Sequence, residues 1–507
     1  MQAQDAPLVV ICDDVGAAPA PLRLLEFEAR LSAQVPGTRV AGVPGMCERP
    51  RALAGALSGL CPTRVVLGCR AASHARGGLL AGLRRAGVAV VGSDIVDLKP
   101  AEICDERVVL EQSIALLRAG LARVVAVDAE APVRERTSFS VAGVSRRSLL
   151  RGLELSLRPV AVRREERCAG GAACTGCLAA CRHGALLKRA GRVVVDVERC
   201  AGCGACVVAC RNGAFALPGA DLGGLRAAVG ALVQSIRGGT PATGVAIVCQ
   251  NSTTAPRLGE AWLALRVPSL EMVSAGWLLQ LMSARVGVRL APCEDDECEL
   301  RADDLERFVR DLAEATGFST KGPVGDPGWD LSNGQAQIEL CDPEATMQVL
   351  AGLGALEAGR SGWRVEGRGC PFGSVHIDPQ GCSCCGACVS VCPRGALTVD
   401  TDDSGSLCLN LDPARCSACG ACVVTCPEKV ISLERSVDGA VVAAGTTVVV
   451  VATQPAAACD LCGSPLGVRL SPEALLRAGG SHRFLAAGAE SLCADCRLSG
   501  RSAVSAR

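Results

Sequence analysis

Cysteine supplies the chemistry that can be read first. Residues 416–427 read CSACGACVVTCP, and residues 382–393 read CSCCGACVSVCP. In each run, three cysteines at two-residue intervals precede a fourth after three residues, and a proline closes the run. Thiolates at this spacing hold [4Fe–4S] cubanes, three wrapping one cluster while the fourth reaches across to its neighbour. Sulfur is the donor required, because iron in a sulfide cluster prefers soft ligands. Gly386 and Gly420 allow the sharp turn between ligands. The pattern assigns Cys382, Cys385, Cys388 and Cys426 to one cluster, and Cys416, Cys419, Cys422 and Cys392 to the other. One run could arise by accident among 32 cysteines in 507 residues; two paired runs, both closed by proline, do not. Zinc prefers two separated C-x-x-C pairs to a four-cysteine run.

A second array lies upstream. Its runs are Cys168, Cys174, Cys177, Cys181 and then Cys200, Cys203, Cys206, Cys210. The later run has the full spacing, whereas the earlier one opens with five residues between Cys168 and Cys174 instead of two. Arg182 and Arg211 replace the closing prolines, which are not ligands. Cross-ligation gives Cys168, Cys174, Cys177 and Cys210 for one cluster, and Cys200, Cys203, Cys206 and Cys181 for the other. Near the end of the chain, Cys459 and Cys462 are joined by about thirty residues to Cys493 and Cys496. Four such thiolates suit tetrahedral zinc or a mononuclear iron. Zinc is favoured, since rubredoxin-type iron sites sit in aromatic cores and only Phe484 falls in this interval. Cys370, Cys384 and Cys408 are left over; Cys384 neighbours a ligand and reads as a passenger.

A third kind of pattern places soft groups after short apolar runs. Leu8–Ile11 ends at Cys12, and residues 64–68 end at Cys69, with His74 five residues on. Residues 245–248 end at Cys249, and Cys293 and Cys298 are also five apart. Val267-Pro268 precedes Cys293 by the interval that separates Val43-Pro44 from Cys69, so the chain holds two copies of one unit. Three soft groups per copy, with Cys47 added in the first, are enough to bind a metal. The rival for the first copy is catalysis, with Cys12, Cys69 and His74 performing thiol–disulfide or persulfide chemistry. The bland alternative is buried, inert thiols.

These groups need elements to position them. Short apolar strands alternate with helical patterns over residues 1–137, which predicts a parallel sheet covered on both faces, with ligand chemistry at the carboxyl strand ends. Strands are expected at Leu8–Ile11, 64–68, 88–91 and 123–127, and helices at 20–33, 76–86 and 109–120. The expected division continues with a dicluster ferredoxin domain at 138–218, an α/β domain at 219–318, and a linker with a docking helix (345–356) at 319–370. A second dicluster ferredoxin domain follows at 371–438, with strands at 375–377, 397–399, Leu407–Leu411 and 430–433. The segment 439–507 then pairs a strand at 440–453 with a zinc-ribbon-like C-x-x-C site. The fold class is multidomain: two Rossmann- or flavodoxin-like parallel-sheet domains (α/β) with two ferredoxin-like βαβ domains (α+β). No G-x-G-x-x-G and no P-loop occurs; after the GLG of residues 352–354, Glu357 occupies the third glycine position. A tightly bound flavin or nucleotide is not supported.

Composition narrows the function further. With 52 basic and 52 acidic residues the net charge is zero, and aromatics are 2% with tyrosine absent. Neither a field for nucleic acid or anionic lipid nor a stacking platform is available. Cysteines at metal-ligand spacing argue for a reducing, cytoplasmic setting rather than a disulfide scaffold. The N-terminus MQAQDAPLVVICDD lacks a basic signal region, and the longest apolar stretch, 440–453, is too short to span a bilayer. SRRSLLRG at 145–152 reads as an amphipathic connecting helix rather than an export signal, because no long apolar segment follows.

Taken together, the chain resembles the heterodisulfide reductase and hydrogenase iron–sulfur families. Residues 1–130, with VVLGCRAASHARGG at 65–78, look like the N-terminal domain of the A subunit of heterodisulfide reductase. Residues 243–313 look like the small iron–sulfur subunit linking methyl-viologen-reducing hydrogenase to that enzyme. This resemblance implies a [2Fe–2S] centre at Cys249, Cys293 and Cys298, although Ser252 and Ser269 stand where further cysteines are expected. The large flavin domain of the A subunit has no counterpart. The expectation is a non-catalytic electron-transfer subunit of an oxidoreductase, hetero-oligomeric with a redox partner of hydrogenase, formate or disulfide type. It would carry four [4Fe–4S] clusters, one zinc or mononuclear iron, and a degenerate [2Fe–2S] site.

Overall fold

A computed structural model describes residues 6–12, 24–127, 134–139, 155–168, 176–316, 350, 362–459, 462 and 465–467, with short gaps inside these ranges. Apart from Gly176, the described residues up to 313 form one compact unit, and those from 314 onward belong to a second. The predicted helix at 145–152 and, except for Leu350, the docking helix at 345–356 lie outside the described residues.

The first unit begins with a parallel sheet of β1 (Leu8–Ile11), β2 (Arg39–Gly42), β3 (Val65–Cys69) and β4 (Ser93–Asp97), in the order β2-β1-β3-β4. β1 and β3 are buried along their whole length, as continuous apolar runs in a two-sided sheet should be. Helices α1 (Leu24–Ser32), α2 (Pro50–Leu57), α3 (Ala72–Arg85) and α4 (Glu106–Ala126) connect and cover the strands. Of the expected strand at 88–91 only Val88 is described, after the turn that leaves α3; residues 89–91 lie outside the described residues, and β4 begins at Ser93. Nor is 123–127 a strand, since α4 runs through Ala126. Ile114, Leu117, Leu121 and Val124 are all at most 1% exposed, and their three- and four-residue spacing is helical, not alternating. α4 lies so close to the sheet that a Cβ at Gly120 would sit 2.9 Å from methyls of both Val66 and Val96.

A smaller antiparallel part follows in the same unit. β5 (Arg134–Phe139) pairs with β6 (Leu155–Val160), an element for which no strand pattern was expected. β7 (Val162–Arg163) pairs with β10 (Phe215–Ala216), and β8 (Leu186–Arg189) with β9 (Arg192–Val195) makes a hairpin. The short helices Gly176–Ala180 and Ala205–Ala209 carry cysteines between these strands. A second parallel sheet comes next, with β11 (Gly244–Cys249) central between β12 (Trp262–Val267) and β13 (Gly287–Ala291). Its strand order repeats that of β1, β2 and β3 in the opening sheet. The helix Leu222–Arg237 precedes it, its N-cap Asp221 accepting a 2.7 Å hydrogen bond from the Gly224 amide. A Cβ at Gly224 would lie 2.8 Å from Val127 and 3.1 Å from the Arg123 carbonyl, so glycine permits this helix to close against α4.

The second unit repeats the small antiparallel plan. β14 (Arg364–Glu366) pairs with β19 (Ser436–Asp438), and β15 (Ser374–Ile377) with β18 (Ile431–Glu434). β16 (Leu397–Thr401) pairs with β17 (Leu407–Leu411), and short helices Ala387–Val391 and Ala421–Thr425 lie against one another. β15 to β18 agree with the expected strands to within two residues. The apolar run 440–453 divides, however, into a helix Gly439–Ala444 and a strand β20 (Val449–Gln454) that extends the β16–β17 hairpin. Among the described residues, no helix is long and apolar enough to cross a membrane.

Candidate metal and thiol centres

Each four-cysteine run in the second unit is a turn, a left-handed glycine and one turn of helix. Gly386 at φ 71° and Gly420 at φ 73° are the N-caps of Ala387–Val391 and Ala421–Thr425, a conformation costly for any residue with a Cβ. Cys392 from the first run and Cys416, Cys419 and Cys422 from the second line one cavity, with Val375, Leu397, Leu411 and Leu433. Cys382, Cys388, Cys422 and Cys426 belong to the buried core of this unit. Burial pushes the Cys388 and Cys416 thiols up to about 12, with neighbouring thiols adding to the effect. Cys422 is raised to about 11, again chiefly by burial. Thiols so crowded and dry ionise together only when a cation is bound among them, which is the fit expected of a cluster site. Backbone amides already point at sulfur: Ala396 donates to Cys392 Sγ at 3.2 Å and Ala214 to Cys210 Sγ at 3.3 Å.

The upstream array is arranged in the same way where it is described. Burial drives the Cys206 thiol upward, with Cys203, Cys200, Cys181 and Cys177 as its charged neighbours in order of effect. Cys168 follows a short 3-10 turn, Glu165–Arg167, and its amide donates to the Glu165 carbonyl at 3.2 Å. Cys416 follows the turn Pro413–Arg415 with the equivalent bond at 3.1 Å, so both cysteines follow a turn of the same kind; the enlarged loop after Cys168 lies outside the described residues. Cys174 lies outside the described residues.

An aspartate four residues before the first cysteine shapes three of the four runs, and sequence reasoning missed it. Asp412 Oδ1 accepts from the Ala414 amide at 3.1 Å, Asp378 Oδ1 from Gln380 at 3.0 Å, and Asp196 Oδ1 from Glu198 at 3.0 Å. The signal was legible as D-x-x-x-C at 196–200, 378–382 and 412–416. Also missed were His183 and Glu271. His183 Nε2 stands 3.1 Å from Glu271 Oε1, and both gather with Cys203 within 4.8 Å. Burial and then Glu271 push the Cys203 thiol up to about 12.

At the strand ends the structure gathers two sets of three thiols, each within 4.8 Å: Cys12, Cys47 and Cys69, and Cys249, Cys293 and Cys298. In the first set Cys47 stands beside Cys12 and Cys69; His74 lies on α3, and its side chain is outside the described residues. Hydrogen bonding from Cys69, opposed by burial and aided by Cys47, lowers the Cys12 thiol to about 6. In the second set, a hydrogen bond from Cys249 lowers Cys298 to about 6. Cys249 itself is driven upward by that bond and by burial. The sets are not equivalent position for position. Ile11 pairs with Gly68 and Val248 with Ala291, so Cys12 matches Cys249 but Cys69 matches Pro292. Ser269 is a cap, its Oγ accepting from the Glu271 amide at 3.2 Å, and Ser252 is buried.

At the C-terminal end, Cys459 is buried and Cys462 exposed, between the short paired strands β21 (Ala457–Ala458) and β22 (Pro465–Gly467). Cys493 and Cys496 lie outside the described residues. Cys384 is buried with φ 49°, its Sγ 3.8 Å from the Ala452 carbonyl. It lies in the same core as the ligand candidates.

Comparison with known proteins meets this geometry at two places. Residues 193–216 and 409–432 match the family model described as a 4Fe-4S binding domain. Each segment spans the second run of its array, from Cys200 to Cys210 and from Cys416 to Cys426. No curated protein matches the chain.

Proposed function

We propose that this ferredoxin-like iron–sulfur chain, with its two 4Fe-4S binding domains, relays electrons through four clusters as a subunit of a larger oxidoreductase. In the second unit the proposed ligand sets are Cys382, Cys385, Cys388, Cys426 and Cys416, Cys419, Cys422, Cys392. In the first they are Cys168, Cys174, Cys177, Cys210 and Cys200, Cys203, Cys206, Cys181. What carries this reading is that Cys392, from one run, lines a cavity with three cysteines of the other, the crossed arrangement of a dicluster ferredoxin. Clusters bound there supply one-electron transfer at a potential set by charge, burial and hydrogen bonds to sulfur.

The protein's own groups do the rest. Apolar walls such as Leu397, Leu411 and Ile431 keep water from the thiolates, and the Ala396 and Ala214 amides stabilise negative charge on Cys392 and Cys210. For the partner we propose a catalytic subunit of hydrogenase or heterodisulfide reductase type, on the resemblance of residues 1–130 and 243–313. A cytoplasmic setting and a hetero-oligomer go with it. Cys249, Cys293 and Cys298 are proposed to hold a further metal or [2Fe–2S] centre, and Cys459, Cys462, Cys493 and Cys496 a zinc.

Anaerobic purification with metal and sulfide analysis tests the reading. About sixteen iron atoms and about one zinc per chain are expected, with a visible absorption that dithionite bleaches. A colourless protein, or one giving no low-temperature paramagnetic signal on reduction, overturns the relay. Iron near eight means that one array is empty.

A further inference from the structure

The first sheet has its topological switch point between β1 and β3, where adjacent strands lead their connections to opposite sides. Open α/β sheets bind their ligands in the crevice at the carboxyl ends of those strands. Here that crevice contains sulfur. Cys12 follows β1, Cys69 ends β3, and Cys47 lies in the loop after β2. Their Sγ atoms fall within 4.8 Å of one another, and Cys12 Sγ and Cys47 Sγ are 3.7 Å apart.

We propose that Cys12 and Cys47 form a reversible disulfide, with Cys69 as the third thiol beside it, so that this crevice is a thiol–disulfide exchange centre for low-molecular-weight thiols and disulfides. Closing the sulfurs from contact to a bond of about 2.05 Å requires a shift of roughly 1.7 Å. The strand before Cys47 is, among the described residues, the edge of the sheet, paired only with β1, and its loop can move without breaking the central ladder. Accessibility sets the order of attack. Cys12 and Cys69 are 3% and 1% exposed, whereas Cys47 is half-buried. An incoming disulfide RSSR therefore meets Cys47 first. The Cys47 thiolate attacks one sulfur, the S–S bond of RSSR breaks, and one RS⁻ leaves, taking up the proton that Cys47 lost. Cys12 then attacks the Cys47 sulfur of the mixed disulfide, expelling the second RS⁻, which takes the Cys12 proton. Two protein thiols are oxidised to one disulfide, RSSR is reduced to two RSH, and atoms and electrons balance. The exchange draws on no iron–sulfur cluster, so it goes beyond the relay and stands apart from it. Three thiols are a complete set for a dithiol with a neighbouring thiol.

The test uses the full chain, purified without oxygen and with its iron in place. It is treated with oxidised glutathione, the remaining thiols are alkylated, and peptides are mapped by mass. A cross-linked pair containing Cys12 and Cys47 is expected, and dithiothreitol should release it. Cys47→Ser, a change on a half-buried loop, should abolish the cross-link, and Cys69→Ser should retain it. Recovery of both Cys12 and Cys47 as alkylated thiols after oxidation would overturn the proposal. So would the loss of one bound metal ion per chain in Cys47→Ser relative to the parent, since the set would then be a metal site. The visible cluster absorption is recorded in parallel. Its absence counts against the relay and leaves the peptide map to decide on the disulfide.

Discussion

Cys392 and Cys384 are eight residues apart, both lie in the same core, and only one of them faces the cavity that holds Cys416, Cys419 and Cys422. Replacing Cys392 by serine should remove a ligand from one cluster and lower iron by about four atoms per chain. Cys384→Ser should leave iron unchanged and cost only the contact with the Ala452 carbonyl. Iron analysis of the two variants checks the crossed assignment, and equal losses would refute it. Cys370 gives the pH-dependent counterpart. Burial raises its thiol from 9.0 to about 12, so the folded chain holds the proton more tightly than the unfolded chain. That contribution to stability is complete below pH 9 and is lost as the pH rises from 9 toward 12. At pH 9, Cys370 should resist iodoacetamide in the native protein and react once the chain is denatured, as peptide mapping would show. At this scale the cysteine runs were readable, because the spacing that suits a cluster is local in sequence. Cys47 was named from the repeat, whereas His183 and Glu271 were not, since they join Cys203 from segments distant in sequence and belong to no local spacing.

Elements were less legible than ligands, and α4 shows why. RVVAV at 123–127 has the composition of a strand, yet its burial continues the three- and four-residue period of Ile114, Leu117 and Leu121. A five-residue window cannot distinguish the two periods; a fifteen-residue one can. Two glycines test how the helices sit. At Gly120 an added methyl would lie 2.9 Å from Val66 and Val96, both in sheet strands. Overpacking there costs about 1–3 kcal/mol, against a helix-propensity gain of about 1 kcal/mol. Gly120→Ala should therefore lower the melting temperature. Gly77, exposed in α3, has nothing within 4 Å of its added Cβ, so Gly77→Ala should stabilise by about 0.5–1 kcal/mol. Thermal melts of the pair would expose a wrong placement of α4 if both variants moved in the same direction. β2, the strand that leads to Cys47, escaped notice for another reason: four residues, RVAG, carry too little apolar pattern to stand out.

Across the first unit, the sequence repeat foretold two like sheets but not what joins them. The joint is ionic. Arg266 on β12 pairs through Nε with Asp97 at the end of β4, and its Nη1 donates to the carbonyls of Cys249 at 3.3 Å and Gln250 at 3.1 Å. Arg123 on α4 adds a 3.0 Å hydrogen bond to the Arg266 carbonyl and approaches Asp94 at 3.7 Å. Asp97 is the strand neighbour of Cys69, so one side chain connects the carboxyl end of the first sheet to the backbone that carries Cys249. The Arg266 and Asp97 side chains are only 5% and 11% exposed, and Arg266 Nη2 and Asp97 Oδ1 have no hydrogen-bond partner among the described residues. A charge pair this dry gains from mutual attraction about what it loses in desolvation, whereas removing one partner strands the other. Arg266→Met should accordingly cost about 3–5 kcal/mol, and Arg266→Met combined with Asp97→Leu should recover much of that loss. Urea unfolding of the parent, both single variants and the double variant closes the cycle. A double variant no more stable than the worse single would mean that Arg266 acts through the Cys249 and Gln250 carbonyls alone, and that the sheets are held together by the packing of α4 against Leu222–Arg237.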